Sequence, residues 1–259
     1  MKKLHFALLS GVLLASSALA QAQSDDLAAI KSAGVIKFGT EGTYAPYTYH
    51  DKSGQLVGFD VDIGRAVAEK LGVKAQFIEG RWDGLIAGVD AKRYDAVINQ
   101  VGVTKERQAK YDFSKPYIDS KAVLITRADN AAIKGFNDLQ GKKSAQSLTS
   151  NYARLATGYG AELVPTDGFN QSLDLVLSGR ADATLNDNLS FLDFKKQKPN
   201  ANVKVVATSA TGEPSAILIR KGQAPLADAL NKALDAIKAD GTYKTIAVRY
   251  FGEDVSESQ

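Results

Sequence analysis

Residues Asn99–Tyr117 read NQVGVTKERQAKYDFSKPY. The stretch begins where an apolar, strand-like run, Asp95-Ala96-Val97-Ile98, ends. Gln100 and Gly102 then offer a side-chain amide and bare backbone at the strand tip. Thr104 is placed to cap a helix, with Arg107 one turn further in. A guanidinium beside free backbone N–H groups at a strand's carboxyl end suits a carboxylate, gripped through two parallel hydrogen bonds. The same spacing fits a surface cap with a solvated arginine, and the pattern alone leaves both readings open.

Working upstream, strand-like runs alternate with amphipathic ones. Val35–Phe38 reads as a strand. Asp60–Leu71 reads as a helix, with Ile63, Val67 and Leu71 on one face and Gly72 as its stop. Ala75–Ile78 is the next strand, Asp83–Ala91 the next helix and Ala96–Asn99 the next strand. This βαβα order predicts a mostly parallel sheet.

The pattern returns later in similar words. RYDAVINQ ends at Gln100 and RADATLND at Asp187, an offset of 87 residues. It pairs Arg93 with Arg180, Asp95 with Asp182 and Asn99 with Asn186. Extended backwards, it pairs Trp82 with Phe169, Ile86 with Leu173 and Val89 with Val176. Because apolar positions match as well as the common R-x-D-A junction, two lobes of similar architecture are expected. Equivalent strand tips would then face a shared crevice, Gln100 from one lobe and Asp187 from the other.

The crossings between lobes are expected at Ser120–Arg127 and about Thr208–Ile217. Lobe 1 would comprise 25–118 plus 214–254, and lobe 2 would comprise 119–213. The chain returns to lobe 1 for a helix with Leu226, Leu230, Ala233, Leu234 and Ile237 on its apolar face, and a second over Tyr243–Tyr250.

Residues 1–22 read as a secretory signal. Lys2 and Lys3 supply the positive start, Phe6–Leu14 the apolar middle, and Ala18-Leu19-Ala20 or Ala20-Gln21-Ala22 the cleavage site. The apolar run is too short for a convincing membrane span. The 259-residue chain carries 32 Lys and Arg against 29 Asp and Glu. With Lys2 and Lys3 removed the remainder is near neutral, which argues against a general nucleic-acid binder. There is no cysteine. The fold must therefore rest on its core, and no lipid-attachment cysteine follows the signal. A periplasmic location is expected.

The Asn99–Tyr117 stretch, with EGTYAPY (Glu41–Tyr47), the RWDGL run from Arg81 and GFDVDIGRAVAEKLG (Gly58–Gly72), resembles the family 3 solute-binding proteins. These are the periplasmic amino-acid receptors of ABC importers. The likeness runs from about Leu27 to Gly252 and is greatest to the L-cystine-binding branch. It implies a periplasmic-binding-protein type II-like fold, two α/β lobes joined by a two-strand hinge. It also implies a free L-amino acid bound in the cleft by hinge closure, and an inner-membrane ABC permease as partner. No cofactor or metal is implied, and a monomer is expected.

An amino acid brings a carboxylate, an ammonium and a side chain, and burying either charge unpaired is prohibitive. The resemblance assigns the carboxylate to Arg107, helped by backbone near Gly102 and by Ser150 and Asn151 at a helix start. It assigns the ammonium to Asp187, a residue equally suited to capping the following helix. Gln100 would take remaining ammonium hydrogens. Tyr44, Tyr47 and Trp82 would form the walls, although a single aromatic is more often core. Glu41 would meet the ligand's side-chain end. Three departures from the family pattern point away from cystine towards another polar amino acid: Gly102 for Ser or Thr, Thr149 for Gly, and Asn188 for Arg.

Catalytic residues are not expected. His50 is the one histidine beyond the signal, in a polar stretch beside Asp51. No H-E-x-x-H, G-x-S-x-G or P-loop motif is present. Carboxylates and lysines can still move protons, so a secreted dehydratase acting on a prephenate-like acid is the alternative.

Overall fold

The computed structural model describes residues 25–255. The expected signal segment, residues 1–22, lies outside them. Two five-stranded sheets make two α/β lobes. The first sheet runs in the order Lys74–Glu79, Val35–Thr40, Ala96–Val97, Leu218–Arg220, Tyr111–Phe113. The second runs Glu162–Pro165, Lys143–Gln146, Ala183–Asp187, Ala122–Arg127, Val203–Thr208.

Both sheets are mostly parallel, with four of five strands running the same way, but each is mixed through one reversed strand. In each, the first three strands are parallel and the last two pairings antiparallel. The reason lies in the link between lobes. Ile118–Ser120 pairs antiparallel with Glu213–Ser215 in a two-stranded ribbon. The fourth strand of each sheet enters from that ribbon, so it runs away from the cleft while its neighbours run towards it. The first crossing therefore falls at Ile118–Ser120, upstream of the expected Ser120–Arg127. Ala122–Arg127 is already a central strand of the second sheet, buried at every position but the last.

Side-chain alternation places a core on each face of each sheet. In the first lobe Ile36, Phe38 and Ala96 face one cluster, with Ile63, Val67, Leu230 and Ile237. Val97 and Leu218 face the other, with Trp82, Leu85, Val89 and Tyr94. In the second lobe Val123 and Ile125 face one cluster and Leu124 and Leu185 the opposite one.

Helix Phe59–Lys70 ends as expected, with Gly72 in the left-handed conformation at φ 70°. Leu226, Leu230, Ala233, Leu234 and Ile237 are the buried face of helix Ala224–Ala239, and Thr242–Phe251 follows. The helix expected over Asp83–Ala91 is instead two short ones, Trp82–Leu85 and Ala87–Asp90. Tyr94 lies against this segment. A Cβ on Gly88 would stand 2.1 Å from its hydroxyl, and one on Gly39 would stand 2.5 Å from its ring.

The 87-residue repeat is visible in the backbone. Asp95 and Asp182 do the same work. Each carboxylate accepts from the backbone N–H of the neighbouring strand, Lys37 and Lys143, at 2.8 Å. Each N–H returns a bond to the same residue's carbonyl, at 2.9 and 2.8 Å. Lys92 and Gly179, also 87 apart, both turn left-handed, at φ 54° and 72°. The R-x-D-A words are thus a helix-to-strand junction built twice.

Candidate functional site

Between the lobes lies a cavity, at the carboxyl ends of the parallel strands. Glu41, Tyr44, Trp82, Asn99 and Gln100 line it from the first lobe. Ser150, Asn151, Tyr152, Phe169 and Asn186 line it from the second, with Gln146, Ser147, Gly168 and Ser172. Trp82 and Phe169, equivalent through the repeat, open the first helix after their strands and meet the cavity from opposite sides.

Six of the ten residues named from sequence line this cavity: Glu41, Tyr44, Trp82, Gln100, Ser150 and Asn151. Gly102, Arg107, Tyr47 and Asp187 stand behind that lining. Arg107 sits in helix Lys105–Lys110, capped by Thr104, whose Oγ1 accepts from the Arg107 N–H at 3.2 Å. Its guanidinium lies 5.2 Å from the Trp82 ring, a cation–π distance. It donates to the Gly102 carbonyl at 3.0 Å and reaches the Thr149 carbonyl across the cleft at 3.5 Å. Arg107 is only 5% exposed, yet no carboxylate lies within 4.0 Å of it among the described residues. Burial lowers its pKa to about 10.

Asp187 caps helix Asn188–Gln197 by accepting from the Ser190 N–H at 2.8 Å. The same oxygen accepts from the Tyr47 hydroxyl at 2.8 Å, and the second oxygen accepts from Tyr44. Tyr44 also meets Asn186 Oδ1 at 2.5 Å. Tyr47 is fully buried, tilted against Tyr44 and Phe251. Both tyrosines belong to the first lobe, so Asp187 joins the lobes. Burial raises its pKa.

Ser150 caps helix Asn151–Gly158 through the Ala153 N–H at 2.9 Å. Asn151 Nδ2 donates at 2.7 Å to Glu213, which lies in the inter-lobe ribbon. Gly102 bridges to Ser215 on the same ribbon. A Cβ there would meet Arg107 and Asn151 only at 3.6–3.7 Å, ordinary contact, so a Ser would fit.

Glu41 has its pKa raised to about 7, chiefly by burial. Its partner is Asn99, whose Nδ2 donates to Glu41 at 2.6 Å while its Oδ1 accepts from the Glu41 N–H at 2.8 Å. Two cavity-lining groups are buried with no hydrogen-bond partner: the Trp82 Nε1–H and Gln100 Oε1. One is a donor and one an acceptor, and an unmade bond on a buried polar atom costs about 1–3 kcal/mol. Two residues of the lining thus carry an unsatisfied donor and an unsatisfied acceptor, and a buried cation without a carboxylate stands behind the lining.

Further contacts bridge the two lobes at the rim. Asp83 accepts from the Thr149 N–H and hydroxyl, both at 2.9 Å, and from the Leu148 N–H at 3.3 Å. Arg81 meets Asp167 at 3.4 Å and Arg154 meets Glu106 at 3.3 Å.

Sequence reasoning missed Tyr152, Phe169 and Asn186. The repeat pairs the last two with Trp82 and Asn99, which is the signal that points to them. In the sequence, Asp60 and Asp83 have only the signature of helix residues. Tyr152 follows a cap and carries no signal of its own. Among the described residues, no group of three or more His, Cys, Asp or Glu converges to hold a metal ion.

Residues 36–253 match the bacterial extracellular solute-binding proteins, family 3. The chain belongs to that family. It is 44% identical to a probable amino-acid ABC transporter-binding protein of Haemophilus influenzae, over 99% of this chain and 100% of that one. It is 48% identical to the L-cystine-binding protein TcyA of Bacillus subtilis, over 91% and 88%. The unliganded, open L-cystine receptor of Neisseria gonorrhoeae is 48% identical over 91% of this chain and 100% of that one, with a TM-score of 0.60. An ancestral arginine-binding protein bound to glutamine is 39% identical over 85% and 99%, with a TM-score of 0.81. Shape thus follows the ligand-bound relative more closely than the open one, although identity is lower. The cross-cleft bonds of Tyr44, Tyr47 and Asp83 hold the lobes of this family member together.

Proposed function

We propose that this family 3 protein is the periplasmic substrate-binding component of an amino-acid ABC importer. It binds one free L-amino acid between its lobes, with L-cystine the first choice and another polar amino acid the second. The observation that carries this reading is Arg107, a buried guanidinium without a carboxylate, stacked behind the Trp82 wall of an inter-lobe cavity. A ligand carboxylate supplies the missing partner. Gly102, Ser150 and Asn151 surround that end. Gln100 and Asp187 take the ammonium, Asp187 by exchanging its bond to Tyr44. Trp82 and Tyr44 make the walls, with Tyr47 packed behind Tyr44 and Glu41 at the side-chain end. Binding shifts an open–closed equilibrium because contacts from lobe 2 exist only when the lobes meet. The closed monomer is what an inner-membrane permease reads.

A thermal-shift screen of refolded, ligand-stripped protein tests this against the common L-amino acids, L-cystine and prephenate. A ligand at a hundred times its dissociation constant stabilises the fold by about 2.7 kcal/mol. A large shift with L-cystine supports the first choice, and one with other amino acids moves the specificity. A shift with prephenate alone turns the reading to a dehydratase. Glu41 favours keeping that second reading, since a cleft carboxyl with a pKa of about 7 can move a proton at neutral pH.

A further inference from the structure

Gln100 has an unusual backbone. Its φ is +50°, the left-handed region that a residue with a Cβ rarely adopts. Lys92 is the other non-glycine with positive φ among the described residues, and it lies in a turn. Something must hold Gln100 there, and the partner is Asp60. This residue is fully buried in the first turn of helix Phe59–Lys70. Its Oδ2 accepts from the Gln100 N–H at 2.7 Å, and its Oδ1 accepts from Gln100 Nε2 at 2.9 Å. One carboxylate therefore clamps both the main chain and the side chain of one residue.

The clamp has a chemical consequence. With Nε2 held against the carboxylate, Oε1 must lie on the other side of the amide. Turning the amide over would set oxygen against oxygen and is unfavourable. Oε1 is buried and unpartnered, and Gln100 lines the cavity. Only the ionised carboxylate can impose this, because both of its oxygens accept, and with burial raising the Asp60 pKa to about 7 that form prevails above neutral pH. An asparagine would offer one acceptor and one donor.

We propose that Asp60 is the positioning residue that fixes Gln100 with its amide oxygen presented to the cavity, where it accepts from a ligand ammonium. This rests on the amino-acid-receptor reading for the identity of the ligand, but the clamp itself does not. Asp60 touches no ligand in this scheme. It sets the polarity of the first-lobe strand tip, so that this tip favours a donor and disfavours a carboxylate. A carboxylate end is thereby directed towards Arg107.

The test compares Asp60→Asn, Gln100→Ala and the double variant. The probes are L-cystine and its deaminated analogue 3,3′-dithiodipropionate, measured by calorimetry. In Asp60→Asn the new amide N–H faces Gln100 Nε2, and Gln100 turns over to put a donor in the cavity. Affinity for L-cystine should fall about tenfold or more, as expected for losing a hydrogen bond to a charged group. Affinity for the analogue should stay within about twofold, because it lacks the ammonium. In the Gln100→Ala background, Asp60→Asn should then change neither. An equal loss for both probes, or the same loss with Gln100 absent, overturns the proposal and leaves Asp60 a structural residue.

A second measurement uses ligand-free protein, so it decides the clamp even where L-cystine does not bind or Asp60→Asn does not fold. In the side-chain amide NMR spectrum, the Gln100 NH₂ signal, assigned by its loss in Gln100→Ala, should exchange more slowly than that of exposed Gln55. Exchange as fast as Gln55 would mean that no clamp exists. Failure of L-cystine to bind the wild type with the Gln100 amide protected would instead count against the ligand assignment alone.

Discussion

The strand tips at Gln100 and Asp187 occupy the same place in two copies of one scaffold, 87 residues apart, and they behave oppositely. Upstream of each, the junctions agree bond for bond, down to Asp95 and Asp182. At the tips the copies part. Asp187 is extended, at φ −75°, and its helix begins at the next residue, so the carboxylate is drawn into capping. Gln100 is left-handed, and its helix waits until Lys105. The four residues between leave room for Gly102 and for Arg107 to fold back over the tip. Scaffold symmetry thus places the two sites, and the length of chain between strand and helix decides their chemistry.

Four measurements break or sharpen that contrast. The largest effect belongs to the first-lobe tip. Arg107→Ala should cost on the order of 3–5 kcal/mol of affinity for the amino acid found in the screen, roughly a hundredfold or more, because a buried carboxylate loses its partner. Near-normal binding by calorimetry would show that the guanidinium serves only its carbonyl bonds and Trp82.

Next comes the second-lobe tip. Asp187→Asn keeps an acceptor for Tyr47 and Ser190, whose bonds share one oxygen, and removes the charge. Affinity for the amino acid should fall about tenfold more than for its deaminated analogue. An equal change for both would make Asp187 a cap and an inter-lobe contact, with no ligand role.

The third concerns pH. Burial holds Glu41 and Asp60 at about 7, above their ordinary values of 4.5 and 3.8. Asp187 and Glu213 are shifted in the same direction. The folded protein thus keeps protons that the unfolded chain has released. That stabilisation is complete below the ordinary carboxylate range and is lost as pH rises through about 7. Ligand-free protein should melt lower at pH 7.5 than at pH 5, and Glu41→Gln should shrink the difference. A flat profile between those values in the wild type would contradict the burial of these acids.

The smallest effect is at the rim. Asp83→Asn retains one acceptor for the Thr149 and Leu148 donors and loses its charge at an exposed site. It should change stability or affinity by less than about 1 kcal/mol. A larger loss of affinity, with melting unchanged, would make this rim contact a determinant of closure.

The amino-acid sequence determined much by itself. Period-two and period-3.6 patterns in Val35–Phe38, Asp60–Leu71 and Leu226–Ile237 located strands, helices and buried faces, because those periods are local properties of the backbone. The repeated R-x-D-A junction disclosed two lobes, and Thr104 and Asp187 are caps because a cap needs only its own next turn. Tertiary structure decided the rest. The antiparallel fourth strand follows from where the ribbon crosses. Tyr44 and Tyr47 reach Asp187 from more than a hundred residues away. Asp60, at an unremarkable helix start, finds Gln100 forty residues on. Each of these depends on which groups burial brings together, and a buried polar group must find its partner wherever the fold has put it.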